Sequence, residues 1–131
     1  MAWITPKTDW KSSDYINYSD INRIINNLKY LHDRAEQHFV IGEFTTMTDK
    51  LGFSDMFYPD EMNAIEDNVD VVNAVCSLDI GTKTVYAGNA VGPDYVEFNR
   101  IENAILGFYN WLFIHPERNF TWNFGALGVF N

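Results

Sequence analysis

The stretch EFNRIENAI, residues 97–105, decides the fold, because the chain writes nearly the same phrase three times. DINRIINNL occupies 20–28 and EMNAIEDNV occupies 61–69. Each phrase opens on an acid, adds an apolar residue and an Asn, then Arg or Ala, then Ile. Aligned on Asp20, Glu61 and Glu97, the copies are offset by 41 and 36 residues. Three residues before each acid stand Asn17, Tyr58 and Asp94. Asn17 and Asp94 suit a helix N-cap, and an acid at the third helical position completes a capping-box-like pair. Tyr58 is a poor cap, but Pro59 follows at the first helical position, where proline is tolerated. Ile16 with Ile21 and Phe57 with Met62 have the spacing of a hydrophobic staple, and Pro93 faces Phe98 in the third copy.

The apolar positions that follow keep the same register. They are Ile21, Ile24, Leu28, Leu31 and Ala35; Met62, Ile65, Val69, Val72 and Cys76; and Phe98, Ile101, Ile105, Phe108 and Leu112. Every interval is three or four, so each copy carries one apolar stripe of an amphipathic helix. The spacing predicts helices over 18–38, 59–77 and 95–115, the last closed by Pro116. Short helices of this kind cannot bury a face alone and must share a core. The expected fold is therefore mainly α, a small bundle of three amphipathic helices.

Asn22, Asn63 and Asn99 recur at the fifth helical position, where asparagine is a mediocre helix former. They read either as a polar flank of the stripe or as amides that bond the loop preceding a neighbouring helix. Arg23 and Arg100 read as solvated or paired with nearby acids such as Glu102.

The remaining segments are connectors and ends. Residues 1–17 read as an extended N-terminal arm pinned by Trp3, Pro6, Trp10 and Tyr15. The two tryptophans either cap the bundle core or dock on another subunit. Residues 39–57 are long for a loop and carry a candidate strand at Phe39–Phe44. Residues 78–94 carry a second one at KTVYAG. The tail 119–131 is aromatic for a terminus, with Phe120, Trp122, Phe124 and Phe130 among glycines and asparagines. It either folds back on the bundle or buries itself in a partner, and its alternation suits strand addition. The organisation is one domain, 1–131, with the arm at 1–17, helical repeats over 18–118 and an aromatic docking tail at 119–131.

Composition bounds the function. The chain has 131 residues, 16% aromatics and nine basic against eighteen acidic side chains, a net charge of −9. Nucleic-acid binding needs a basic face, which is missing. An anionic membrane surface would repel the chain, and no apolar run is long enough to span a bilayer. MAWITPKTDW lacks the apolar core of a signal peptide, so synthesis in the cytoplasm is expected. One cysteine, Cys76, excludes an intrachain disulfide framework and reads as a buried small hydrophobe.

No motif for catalysis emerges. His32 and His38 are six apart, on different faces of one helix, and no HExxH, GxSxG, CxxC or glycine-rich phosphate loop occurs. Asp60, Glu61, Glu66, Asp67 and Asp70 read as a solvated acidic face of the second helix. The expectation is no enzyme, no cofactor and no bound metal.

PKTDWKSSDYINYSDINRIINNLKYL, with EFNRIE near 97–102, resembles segments of phage and prophage proteins of Gram-positive bacteria, from the tail tip, baseplate or fibre region. The likeness is best over 4–31 and next over 94–105. The middle copy departs from it, with Ala64 in place of Arg. The resemblance implies a virion structural protein, a tail-tip, baseplate or fibre-attachment subunit, working by oligomerisation and docking. It carries no catalytic residue. Together with the aromatic arm and tail it leads to the expectation of a homo-oligomer, trimer or hexamer, that also meets other tail proteins. Trp3, Trp10, Tyr15, Phe120, Trp122, Phe124 and Phe130, read from the arm and the tail, are the candidate contacts. Two alternatives stand beside it. One is a module that grips a host-surface glycan with Trp10, Tyr15, Trp122 and Asn123. The other is a small acidic regulator of a basic partner.

Overall fold

The computed structural model describes residues 3–47, 59–86 and 94–114. Three helices follow the three phrases: α1 (Tyr18–Glu36), α2 (Pro59–Cys76) and α3 (Tyr95–Ile114). The starts of α1 and α3 obey the sequence signals at Asn17 and Asp94, while Phe57, Tyr58 and Pro93 lie outside the described residues. The Asp20 carboxylate accepts the Asn17 N–H at 2.9 Å, and Asp94 Oδ1 accepts the N–H groups of Val96 and Glu97 at 3.0 and 3.3 Å. An acid there also faces the positive end of the helix dipole. At the end of α2, Ser77 takes a left-handed conformation (φ 56°), and its N–H bonds the Asn73 carbonyl at 2.7 Å.

Every residue of the three apolar stripes is buried, and together they form one core with Trp10, Ile25, Tyr86 and Ala104. Cys76 lies in that core, and burial pushes its thiol up to about 12, so it is no nucleophile at neutral pH.

The helices run parallel, which the contacts between equivalent positions establish. Arg23 of α1 meets Glu102 of α3 near their first turns, and Arg34 lies over Phe113 near their last. Arg100 of α3 meets Glu66 of α2 near the first turns, and Leu78, just past the end of α2, lies against Gly107 of α3. Parallel helices need connectors that travel back the whole length of the bundle. A 19-residue helix is about 28 Å long, which roughly nine extended residues can cover. The connectors 37–58 and 77–94 are both longer than that, which accounts for their length.

Each extended segment lies in the groove between two helices. Residues 78–86 descend along α3: Leu78 lies beside Gly107, Gly81 beside Arg100, and Thr84 Oγ1 donates to Glu97 at 2.9 Å. Gly81 has φ 81°, a conformation that favours glycine, and a Cβ there would stand 3.1 Å from Arg100 Cδ. The arm runs between α1 and α3 in the same direction. Ile4 is held by Asn27, Lys7 by Glu102 and Trp10 by Asn99. The segment after α1 lies between α1 and α2, with Gly42 against His32 and Val71 and Thr45 bonded to Asn68. The fold is thus three parallel units, each an extended segment followed by a helix.

The expected short strands do not form among the described residues, at Phe39–Phe44 or at 83–86. The reason is position. Each extended segment lies alone between two helices, with no second strand beside it. Asparagine side chains supply the missing partner instead. The tail 119–131, with Phe120, Trp122, Phe124 and Phe130, lies outside the described residues. No described helix is long and apolar enough to cross a membrane.

Candidate functional site

Two buried polar joints hold the helices and the extended segments together. Both are built from the repeated phrase. In the first, Glu102 is fully buried on α3. Its Oε1 accepts Arg23 Nε at 2.8 Å and the Lys7 N–H at 3.1 Å. Its Oε2 accepts Arg23 Nη2 at 2.8 Å and the indole Nε1 of Trp10 at 2.6 Å. Asp20 takes the remaining arm of Arg23 at 2.8 Å. The guanidinium is held charged, first by its bonds to Glu102 and then by Asp20. A two-pronged arginine–carboxylate contact of this kind is among the stronger polar pairs in proteins.

The second joint repeats the plan one helix on. Glu66 of α2 is buried and accepts Arg100 of α3 and the hydroxyl of Tyr86, the latter at 3.1 Å. Glu97 supports Arg100 as Asp20 supports Arg23. Burial, then the charge of Glu66, pushes the Tyr86 hydroxyl well above the usual tyrosine range, so it stays a donor. This joint is less complete. Glu66 Oε1 and Arg100 Nη1 are buried without partners, whereas both oxygens of Glu102 are fully engaged.

Asparagine clamps complete the joints. Asn99 accepts the Trp10 N–H and donates to the Trp10 carbonyl, both at 2.8 Å. Asn63 does the same for Tyr86, again at 2.8 Å each way. One amide thus bonds both backbone groups of one residue, as the opposite residue of an antiparallel strand would. Both amides hold the segment that precedes a neighbouring helix. Asn22 is engaged as well. A second tier follows one and a half turns later: Asn27 clamps Ile4 at 3.0 and 2.7 Å, and Asn68 clamps Thr45 at 2.8 and 2.9 Å.

The clamps carry a measurable load. Asn99→Ala removes the partners of two backbone groups at once, at about 1–3 kcal/mol for each one left dry. Helix propensity alone would favour alanine by about half a kcal/mol. The thermal midpoints of Asn99→Ala and Asn63→Ala should therefore fall, while Asn103→Ala, at an exposed position of the same helix, should match or exceed the parent. Equal midpoints for all three would show the clamps to be dispensable.

The other residues singled out in the sequence separate into inside and outside. Trp10 is 4% exposed, with its indole nitrogen on Glu102, so it is occupied within the chain and offers no stacking face. Trp3 stacks on Tyr109 at 4.0 Å and leans on Tyr30. Tyr15 is 89% exposed. Of the acids read as a solvated face of α2, Asp67 and Asp70 are exposed and share Lys83, but Glu66 is buried in the second joint. An open cleft of about 220 Å³ lies on α1, lined by Tyr30, Asp33, Arg34 and Gln37, with the Arg34 guanidinium 4.4 Å over the Phe113 ring.

Sequence reasoning placed Glu66 on a solvated face, where the structure buries it against Arg100, did not single out Asn27 or Asn68, and named Glu102 only as a neighbouring acid. A signal was present. Glu66 and Glu102 are each the sixth residue of their phrase, two after Ala64 and Arg100, where the first copy has Ile25. The copy that lacks the arginine, with Ala64, sits opposite the copy that lacks the acid. No protein-family model, curated protein or solved structure matches the chain.

Proposed function

We propose that the chain is a non-enzymatic structural subunit of a bacteriophage virion, placed at the tail tip, baseplate or a fibre attachment and acting through oligomerisation and docking. One observation supports this reading most. The ionic and aromatic groups that could serve chemistry, Arg23, Arg100, Glu66, Glu102, Trp10 and Tyr86, are all committed to joining helices and segments. Such a scaffold works by presenting surface. The likeness of 4–31 and 94–105 to phage and prophage tail proteins supplies the context. The expected partners are further copies, as a trimer or hexamer, and other tail proteins.

The glycan-binding alternative moves to a different place. Trp10 is buried, and the cleft of Tyr30, Asp33, Arg34 and Gln37 combines an aromatic ring with planar polar groups, as a sugar site requires. The test is mass spectrometry of gradient-purified particles, counting this chain against the major tail proteins. Presence at a low multiple of three or six is the expected result. Absence from clean particles removes the virion reading. Binding to host cell walls, lost in Tyr30→Ala, would then favour the module.

A further inference from the structure

The last turns of α1 gather three groups that can ligate a metal, one buried and two exposed. His32, Asp33 and Glu36 each offer one ligand atom, and those atoms lie within 4.8 Å of one another. His32 and Glu36 are one turn apart on the helix, which places them on one side, with Asp33 beside them. Asp33 and Glu36 are exposed, while His32 is buried.

The state of the His32 ring is set by a group outside the cluster. Its Nε2 lies 2.7 Å from the Gly42 carbonyl oxygen. A carbonyl can only accept, so Nε2 carries the proton and Nδ1 keeps its lone pair. Metal-binding histidines are oriented in this way, by a carbonyl or carboxylate on the nitrogen that does not bind. The ring of Phe44, edge-on at 5.3 Å, packs against the same imidazole. Arg34, which lines the cleft beside Asp33, has its guanidinium over the Phe113 ring at 4.4 Å. A chain of net charge −9 also favours a cation over an anion here.

The geometry points to a site for one divalent transition-metal ion of the zinc class, ligated by His32 Nδ1 and the carboxylates of Asp33 and Glu36. Three protein ligands leave a fourth position of a tetrahedral ion open to water. An imidazole ligand disfavours magnesium and calcium, which take oxygen ligands. Because His32 is held by Gly42, the ion would also fasten the segment after α1 to its helix.

The test is calorimetric titration of the chelator-treated full chain with zinc chloride. One ion per chain is expected, with Kd below about 100 µM. Asp33→Asn with Glu36→Gln changes two exposed side chains, so the helical circular dichroism should be retained. Binding by this double variant should weaken at least about tenfold. Magnesium chloride at the same concentration should give no binding heat, and zinc should shift the Nδ1 resonance of His32. No heat at about 1 mM zinc, or a loss of less than tenfold in the double variant, overturns the site.

Discussion

Glu102→Ala should destabilise the protein by about 3–5 kcal/mol, the usual cost of removing one partner of a buried ion pair. Glu102 receives four bonds, from Arg23 twice, the Trp10 indole and the Lys7 N–H. Its loss leaves a guanidinium in a largely buried place and an indole N–H without an acceptor. Trp10 then keeps its backbone clamp to Asn99 but loses its side-chain bond, and the Lys7 N–H loses its acceptor, while Asn27 still holds Ile4. Glu66→Ala should cost less. Its joint already contains a carboxylate oxygen and a guanidinium nitrogen without partners, so less is taken away. Urea unfolding read by circular dichroism and by tryptophan fluorescence measures both. A loss under about 1 kcal/mol for Glu102→Ala would mean that the arm and Arg23 find other partners or water.

Ile25→Glu should cost about as much, and a second substitution should recover most of it. Arg23 of α1 pairs with Glu102 of α3, and Arg100 of α3 pairs with Glu66 of α2. Rotated once more, the pattern sets residue 64 of α2 against residue 25 of α1. Those residues are alanine and a buried isoleucine, so the polar pair is replaced on both sides at once. A glutamate at 25 would be buried without a cation, a cost of several kcal/mol. Ala64→Arg places the cation where Arg23 and Arg100 stand in the other joints. The double variant Ile25→Glu with Ala64→Arg should therefore be more stable than Ile25→Glu alone, with a coupling of about 1–3 kcal/mol in the double-mutant cycle. Additive effects would show that the three interfaces are not equivalent.

The replacement also bears on how such a fold is maintained. A buried ion pair brings little net stability over well-packed apolar residues, because desolvation offsets its attraction. One joint can therefore be apolar while two are ionic. A joint with one polar side is the costly case, because it leaves a buried charge without a partner. The unit interface is thus the object that must be consistent, rather than any single residue.

Much of this was legible along the chain. The three stripes Ile21–Ala35, Met62–Cys76 and Phe98–Leu112 form the core, and the helices end within two residues of their expected bounds. Helix signals are local: a cap, an acid and an apolar spacing of three or four lie within a few turns, and each acts on its own neighbours. The recurrence of Asn63 and Asn99 was equally visible, but their partners were not. Trp10 is 89 residues from Asn99 in sequence, and only the packing of α3 beside the arm brings them together.

The connectors show the limit most clearly. KTVYAG has the residues of a strand, and a strand requires a neighbour that sequence alone does not supply. Tertiary packing placed the described part of that segment between α2 and α3, so an asparagine side chain took the place of the partner strand. The same holds for charge. Glu66 and Asp67 are adjacent acids on one helix, yet one is buried against Arg100 and the other is exposed. Local spacing determined that three amphipathic helices form and which face of each is apolar. The tertiary structure decided that they run parallel and which polar groups are buried, because those outcomes depend on contacts between residues far apart in the chain.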